Sequence, residues 1–169
     1  MIQLSGVQDV DGILSIVNKT IKLMELEDNP QWSTDYPARL DFINDIASGS
    51  LYCCKKADSL VGFICVNEDG APEYEELVWS EGKYNVIHRM AVDPRFRRDG
   101  IGSGLINFAE ELSRKNGCEF LRTDTFSENR AMNSLFVKRG FIKTGEVFFE
   151  NISRPFYCYE KKVGCLRSR

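Results

Sequence analysis

The fold is decided by residues 84–104, which read YNVIHRMAVDPRFRRDGIGSG. Residues 84–92 alternate and are rich in β-forming side chains, which predicts a strand. Asp93-Pro94 ends that strand. Apolar residues then recur at helical spacing over 101–112, which predicts a helix that stops at Asn116-Gly117. The stretch therefore predicts a strand, a glycine-rich turn and a helix in direct succession.

The glycine-rich turn is a candidate anion site. Gly100 and Gly102 remove Cβ atoms where a ligand would approach the backbone, and the N–H groups of a helix start favour phosphate. Three arginines, at 95, 97 and 98, add local positive charge. The plainer alternative is a glycine-rich connection with no ligand. The spacing G-x-G-x-G excludes a P-loop, which needs Lys-Ser or Lys-Thr, and a dinucleotide fingerprint, which needs G-x-G-x-x-G.

Outward from this turn the chain alternates helices and strands without repeats or linkers. Before it, the pattern predicts helices over 9–27 and 38–48 and a hairpin over 50–67 that turns near Ala57-Asp58. After it, the pattern predicts a strand over 118–125, a helix from 131 to Gly140, and strands over 141–150 and 154–162. Strands joined through helices of about 12–16 residues imply a parallel pair within an otherwise antiparallel, mixed sheet.

Length and composition indicate one globular domain. The 169 residues, 43% hydrophobic and 28% charged, fit a single domain over 1–169. The formal net charge of −3 disfavours nucleic acid as a partner. The longest apolar run, 60–66, is too short to cross a bilayer, and residues 1–11 lack the pattern of a secretory signal. No membrane association is expected.

The six cysteines include no CxxC pair and no histidine at ligand spacing. We therefore expect reduced cysteines, no metal and a cytoplasmic location. These cysteines are Cys53, Cys54, Cys65, Cys118, Cys158 and Cys165.

The motifs together resemble those of the GNAT superfamily of acetyl-CoA-dependent N-acetyltransferases. The resemblance rests on HRMAVDP at 88–94, on Arg97-x-x-Gly100-x-Gly102, and on Asn129 followed by Gly140-Phe141. It implies an α+β, single-domain fold with a mixed, mainly antiparallel sheet, in which a splayed parallel pair of central strands is flanked by helices. It also implies acetyl-CoA as co-substrate, with no metal.

The resemblance assigns the acetyl-CoA contacts position by position. Met90, Ala91 and Val92 match the strand whose edge binds pantetheine and the acetyl carbonyl. Asn129 matches a side chain that hydrogen-bonds the pantetheine arm or the thiol region. The turn matches the loop whose backbone amides hold the pyrophosphate; its residues are Arg97, Arg98, Asp99, Gly100, Ile101, Gly102 and Ser103.

Acetyl transfer to an amine needs a base, because a free amine with a pKa near 10 is protonated at pH 7. Two candidates follow. Asp124 lies five residues before Asn129, where the resembled family often has a carboxylate, and His88, the only histidine, lies two residues before Met90. Each has a structural alternative: Asp124 as a partner of Arg122 or a helix-cap acceptor, and His88 as a packed, hydrogen-bonded strand residue.

The acid that would protonate the departing thiolate has no residue at its usual position, because Phe136 stands where the resembled family usually has a proton-donating tyrosine. Tyr157 and Tyr159 on the final strand are the candidates, with ordinary strand aromatics as the alternative.

The acceptor is expected to be a small-molecule primary amine. Residues 68–82 carry six acidic and no basic side chains, which is typical either of a solvated hairpin tip or of a surface that attracts a cation. In this fold the acceptor pocket would involve Trp32, Tyr36, Phe148, Phe149 and Phe156. The alternatives are a protein or peptide N-acetyltransferase and a non-catalytic acyl-CoA-binding sensor. Homodimers through the last strands are frequent in such folds.

Overall fold

Seven strands and four α-helices form over residues 1–164, the part of the chain that the computed structural model describes. Three short 3₁₀ helices, at Val7–Asp9, Pro72–Glu76 and Pro94–Phe96, complete the regular structure of these residues. In chain order the strands and α-helices are β1 (Ile2–Leu4), α1 (Val10–Leu26), α2 (Arg39–Ala47), β2 (Leu51–Lys56), β3 (Ser59–Asn67), β4 (Tyr84–Val92), α3 (Ile101–Lys115), β5 (Phe120–Phe126), α4 (Arg130–Lys138), β6 (Ile142–Val147) and β7 (Phe156–Lys162).

The strands form one sheet in the order β1-β2-β3-β4-β5-β7-β6. Strands β4 and β5 pair in parallel, with Tyr84–Ile87 against Phe120–Thr123. The pairs β1–β2, β2–β3, β5–β7 and β6–β7 are antiparallel. The predicted α+β class, a mainly antiparallel mixed sheet with a parallel pair, is therefore confirmed.

The chain divides into two compact units. The first comprises residues 1–66 and 88–105. Its core forms because the apolar face of α1 packs with Phe42 of α2 and Phe63 of β3. Trp32 stacks on Phe63 with the ring planes 9° apart and is only 7% exposed. Trp32 is thus a core residue and not the pocket wall that the sequence predicts.

The second unit comprises residues 67–87 and the chain from 106 onward. Its core includes Tyr74, Val86 and an aromatic group in which Phe156 meets both Phe126 and Phe149 edge to face. Phe156 is buried there, so it too is a core side chain, whereas Phe148 is exposed. The single domain over 1–169 stays a prediction.

Most element boundaries match the predictions to within a few residues. The hairpin turns at Ala57 and Asp58, whose positive φ values of 46° and 63° suit a tight two-residue turn. Strand β6 ends three residues early, and β1 was not predicted. The cysteines at 53, 54, 65, 118 and 158 are thiols; Cys165 lies outside the described residues.

Candidate active site

The turn into α3, in the first unit, has the backbone shape that an anion site requires. Arg98 and Gly100 have φ values of 71° and 76°, and the Gly104 N–H donates to the Gly100 carbonyl at 2.9 Å. The helix therefore begins immediately after Gly100, and the N–H groups of its first turn have no acceptor within the helix. Arg97 and Arg98 are exposed on this turn.

The glycines leave space at this helix start. A Cβ atom on Gly100 or on Gly104 would meet no heavy atom of the described residues within 4 Å. Open space, unpaired first-turn amides and exposed arginines together fit a pyrophosphate group. The predicted set Arg97 to Ser103 is thus brought together as one turn.

Arg95 has a different role from the other two arginines of the turn. Its guanidinium binds Asp93 through Nε and Nη2, and Lys19 of α1 adds a contact of 2.9 Å to the same carboxylate. Asp93 is 1% exposed and also caps the 3₁₀ helix at Pro94 by accepting the Arg95 N–H. The hydrogen bond from Arg95 holds the pKa of Asp93 well below its usual range, with Lys19 assisting. This cluster fixes the end of β4.

The C-terminal part of β4 carries the predicted strand-edge residues. Met90 and Val92 are half-buried and Ala91 is buried, and the Asp93 N–H donates to the Val61 carbonyl on β3 at 2.8 Å. Adjacent Arg89 makes two bonds to Asp45 of α2, at 2.9 and 2.7 Å.

The other end of the Arg89 guanidinium, Nη1, donates to the hydroxyl of Tyr36 at 3.0 Å. Tyr36, predicted as a pocket residue, is 45% exposed and lies in the loop between α1 and α2. The predicted base His88 lies half-buried in β4.

In the second unit, Asp124 lies half-buried on β5. The β5–β7 register pairs Asp124 with Cys158 and Arg122 with Glu160. Because alternate residues of a strand point to the same face, these four side chains share one face of the sheet. Burial raises the pKa of Asp124 to about 6, and nearby Glu73 adds to this, while a hydrogen bond from Tyr74 acts in the opposite direction.

The acidic segment 68–82 covers this face. The Tyr74 hydroxyl donates to Oδ2 of Asp124 at 2.5 Å, and Tyr74 is only 6% exposed. Burial and the adjacent Asp124 raise the pKa of Tyr74 well above its ordinary value. The segment is therefore not only a solvated tip. Sequence reasoning missed Tyr74; its signal was an aromatic residue between the glutamates at 73 and 75 of the acidic segment.

Asn129 lies at the start of α4, where its Oδ1 accepts the Met132 N–H at 3.2 Å and caps the helix. It is 8% exposed. Phe136, about two turns along, is buried and packs on Phe141 and Tyr159. The hydroxyl of Tyr159 donates to Oδ1 of Asn133 on α4 at 2.6 Å.

Tyr157 and Tyr159 alternate with Cys158 on β7, so their side chains lie on the sheet face opposite Asp124. Tyr157 is half-buried, with the Lys143 ammonium 3.4 Å from its ring centroid. Because the Tyr159 hydroxyl already donates its proton to a hydrogen bond with Asn133, Tyr157 is the better candidate for the acid. Its role as acid stays a prediction.

Over residues 1–164, no group of three or more His, Cys, Asp or Glu side chains is arranged to hold a metal ion. None of the helices in this part of the chain combines the length and the hydrophobicity that a membrane span requires.

Known proteins are similar to this chain in sequence and in fold. The model of the acetyltransferase (GNAT) family matches residues 18–141, which contain the glycine turn, Asp124 and Asn129. The uncharacterized N-acetyltransferase YesJ of Bacillus subtilis strain 168 is 23% identical over 162 residues, covering 92% of this chain and 86% of YesJ.

Solved structures agree. A Staphylococcus aureus Mu50 protein described as an acetyltransferase superposes with a TM-score of 0.76 at 31% identity, over 97% of this chain and 99% of that one. A GNAT-family acetyltransferase from Streptococcus agalactiae 2603 gives a TM-score of 0.83 at 22% identity, over 96% and 94% of the two chains, and shows the shared fold. A match to the family model over most of the length, supported by a relative with 31% identity, means that this chain belongs to the GNAT family of acetyltransferases.

Proposed function

We propose that this acetyltransferase moves the acetyl group of acetyl-CoA to the primary amine of a small-molecule acceptor, with Asp124 as the base. The observation that carries the proposal is the half-buried Asp124 carboxylate under an acidic segment, with a pKa raised to about 6 by desolvation. A carboxylate with such a pKa is largely ionised at pH 7 and is a better proton acceptor than an ordinary aspartate.

Acetyl-CoA, when bound, supplies the acetyl group as a thioester that the neutral amine attacks. The first-turn amides of α3 and the side chains of Arg97 and Arg98 would hold its phosphates. Backbone groups of Met90 to Val92 would bind the pantetheine arm, and Asn129 would assist. Asn129 has a structural task as helix cap, which leaves its amide nitrogen for this contact.

The acidic segment supports a cationic acceptor. Its exposed carboxylates at Asp69, Glu75, Glu76 and Glu81 produce a local negative field that attracts an ammonium group. Asp124 then accepts the ammonium proton. Tyr157 is the candidate donor to the departing thiolate, because Phe136 has no hydroxyl.

The first test is release of CoA thiol from acetyl-CoA, measured with polyamines, amino sugars and small primary amines, and with peptides bearing free N-termini or lysines. Turnover of a small amine at a kcat/KM at least tenfold above any peptide supports the proposal. Turnover confined to peptides overturns the acceptor class, and binding of acetyl-CoA without any turnover overturns the role of Asp124 as a base.

The second test separates the roles of residues by mutation. Gly102→Val is expected to weaken acetyl-CoA binding by about tenfold or more in calorimetry, or about 1.4 kcal/mol, because the side chain blocks the approach of phosphate. Gly12→Ala, a change on α1 whose Cβ meets only Leu60 at ordinary contact distance, is the control. Asp124→Asn should lower kcat with acetyl-CoA affinity unchanged. If His88→Ala alone abolishes turnover while Asp124→Asn retains it, His88 is the base instead.

A further inference from the structure

A short hydrogen bond from the Tyr74 hydroxyl joins the acidic segment to the sheet. Tyr74 lies in the 3₁₀ helix Pro72–Glu76, and its Oη–Oδ2 distance to Asp124 is 2.5 Å. That distance is short for a hydroxyl donor and is typical of a hydrogen bond to an ionised carboxylate. The two residues are 50 positions apart in sequence, so the contact is a product of the fold.

The orientation of Tyr74 is set by its neighbours. The Trp79 indole N–H donates to the Tyr74 carbonyl at 2.8 Å, and the two rings pack with centroids 5.1 Å apart. Trp79 in turn lies against the guanidinium of Arg122, 4.7 Å from its ring centroid. Trp79 therefore holds Tyr74 both at its backbone carbonyl and at its ring.

The end of the segment is also fixed to the sheet. The Ser80 N–H donates to Oε1 of Glu160, and its carbonyl accepts from Nη2 of Arg122 at 2.9 Å. Arg122 and Glu160 form a buried ion pair at 2.9 Å across β5 and β7. The segment is thus bound at Ser80 to one cross-strand pair and at Tyr74 to the next, Asp124 opposite Cys158.

We infer that Tyr74 is a positioning residue for acetyl transfer, in which its hydroxyl fixes the Asp124 carboxylate through Oδ2 and directs Oδ1 toward the ammonium of the acceptor. The inference rests on the proposed function, in which Asp124 is the base. In the step itself the ammonium N–H bond breaks, the proton goes to Asp124, and the electron pair stays on nitrogen for the attack. The Tyr74 proton stays on Tyr74.

The charged and titratable groups around Asp124 support this role. Glu73 on the same 3₁₀ helix disfavours its ionised form, and burial raises the pKa of the neighbouring Cys158 thiol to about 12, so that thiol stays neutral. The Tyr74 hydrogen bond is the contact that favours the anion, and it lowers the pKa of Asp124 against the effect of burial. Without that hydrogen bond the carboxylate would ionise only at higher pH.

The test is the pH dependence of kcat/KM for Tyr74→Phe. The variant keeps the ring and its packing on Trp79 but lacks the donor. We expect the acidic limb, near pH 6 in the native protein, to move up by about one pH unit, and kcat/KM below pH 6 to fall about tenfold. Tyr84→Phe is the matched control, since Tyr84 contacts Arg122 through its ring face at 3.7 Å and should leave the limb in place.

A loss of activity at every pH that leaves the acidic limb in place would mean a merely structural role and would overturn the inference. So would a limb that moves to lower pH. In a protein that already carries Asp124→Asn, adding Tyr74→Phe should cause no further loss of kcat/KM. A further loss in the double variant would contradict action through Asp124.

A readout without turnover separates this inference from the proposed function. The carboxyl carbon of Asp124, labelled with ¹³C and assigned by its loss in Asp124→Asn, can be titrated by NMR in both native protein and Tyr74→Phe. An upward shift of the midpoint in the variant supports the hydrogen-bond role even if no small amine is acetylated. Equal midpoints overturn it, whatever the acceptor turns out to be.

Discussion

Replacing Asp124 with asparagine should stabilise the folded protein at neutral pH while lowering its turnover. Asparagine keeps the size of the side chain, and its Oδ1 still accepts the hydrogen bond that the Tyr74 hydroxyl makes to Oδ2. The substitution removes the free-energy cost of desolvating an ionised carboxylate beside Glu73.

The size of the effect follows from the pKa. In the folded protein burial raises the pKa of Asp124 from 3.8 to about 6, so the folded state binds the proton more tightly than the unfolded chain does. A group with a raised folded-state pKa gives stability that is fully present below about pH 4 and is lost as the pH rises through about 6. At about 1.4 kcal/mol per pKa unit, the loss reaches at most about 3 kcal/mol above pH 7.

Urea denaturation of native and Asp124→Asn proteins from pH 4.5 to 8 measures this directly. The free energy of unfolding of the variant should exceed that of the native protein only slightly at pH 4.5. The difference should grow most steeply between pH 4.5 and 6 and should reach a plateau of about 1–3 kcal/mol. Asp69→Asn, the same change on an exposed side chain of the segment, should give a difference that varies little with pH. If Asp124→Asn is less stable at pH 8 than at pH 5, relative to native protein, then the carboxylate is not destabilised by burial and the reasoning fails.

Three further predictions concern the supporting structure. Gly104→Ala should raise the free energy of unfolding by about 0.5–1 kcal/mol, whereas Gly100→Ala should lower it by about 1 kcal/mol; both new methyl groups meet open space, but only Gly100 has a positive φ. Arg89→Lys should cost about 1–3 kcal/mol in urea denaturation, because lysine cannot reproduce the bidentate contact with the carboxylate on α2. Glu160→Gln should leave the Arg122 charge buried without its carboxylate; we expect a loss of about 3 kcal/mol and an acidic limb of kcat/KM at lower pH, and an unchanged thermal midpoint would contradict this.

Most of the helices and strands were predictable because local patterns decide them. The glycine turn at 97–104 combines a strand end, positive-φ positions and a helix start, and each has its own residue signature. The parallel pair of β4 and β5 followed from a helix of fixed length between two β-rich runs. Such features depend on neighbours in sequence, so composition and spacing reveal them.

The surroundings of Asp124 depend on contacts that sequence spacing does not encode. Tyr74 reaches Asp124 across 50 residues, and the segment that carries it looks from its charges like a solvent-exposed connection. For Trp32 and Phe156 the sequence predicts a place in the acceptor pocket, but the fold buries both side chains in its cores. Burial of a given aromatic side chain is a property of the assembled layers, not of its position in the chain.

The buried ion pair next to Asp124 explains how the protein can keep that carboxylate without a cation. Arg122 and Asp124 lie two residues apart on the same face of β5, so an arginine with no other partner there would be expected to pair with Asp124 and depress its pKa. Instead, Arg122 forms an ion pair at 2.9 Å with Glu160, which lies opposite it on β7. The Ser80 carbonyl and the rings of Trp79 and Tyr84 also contact the guanidinium of Arg122. Asp124 is left with Tyr74, a neutral donor that orients the carboxylate without cancelling its charge. A base needs this arrangement, because a carboxylate neutralised by arginine would no longer take a proton from an amine near neutral pH.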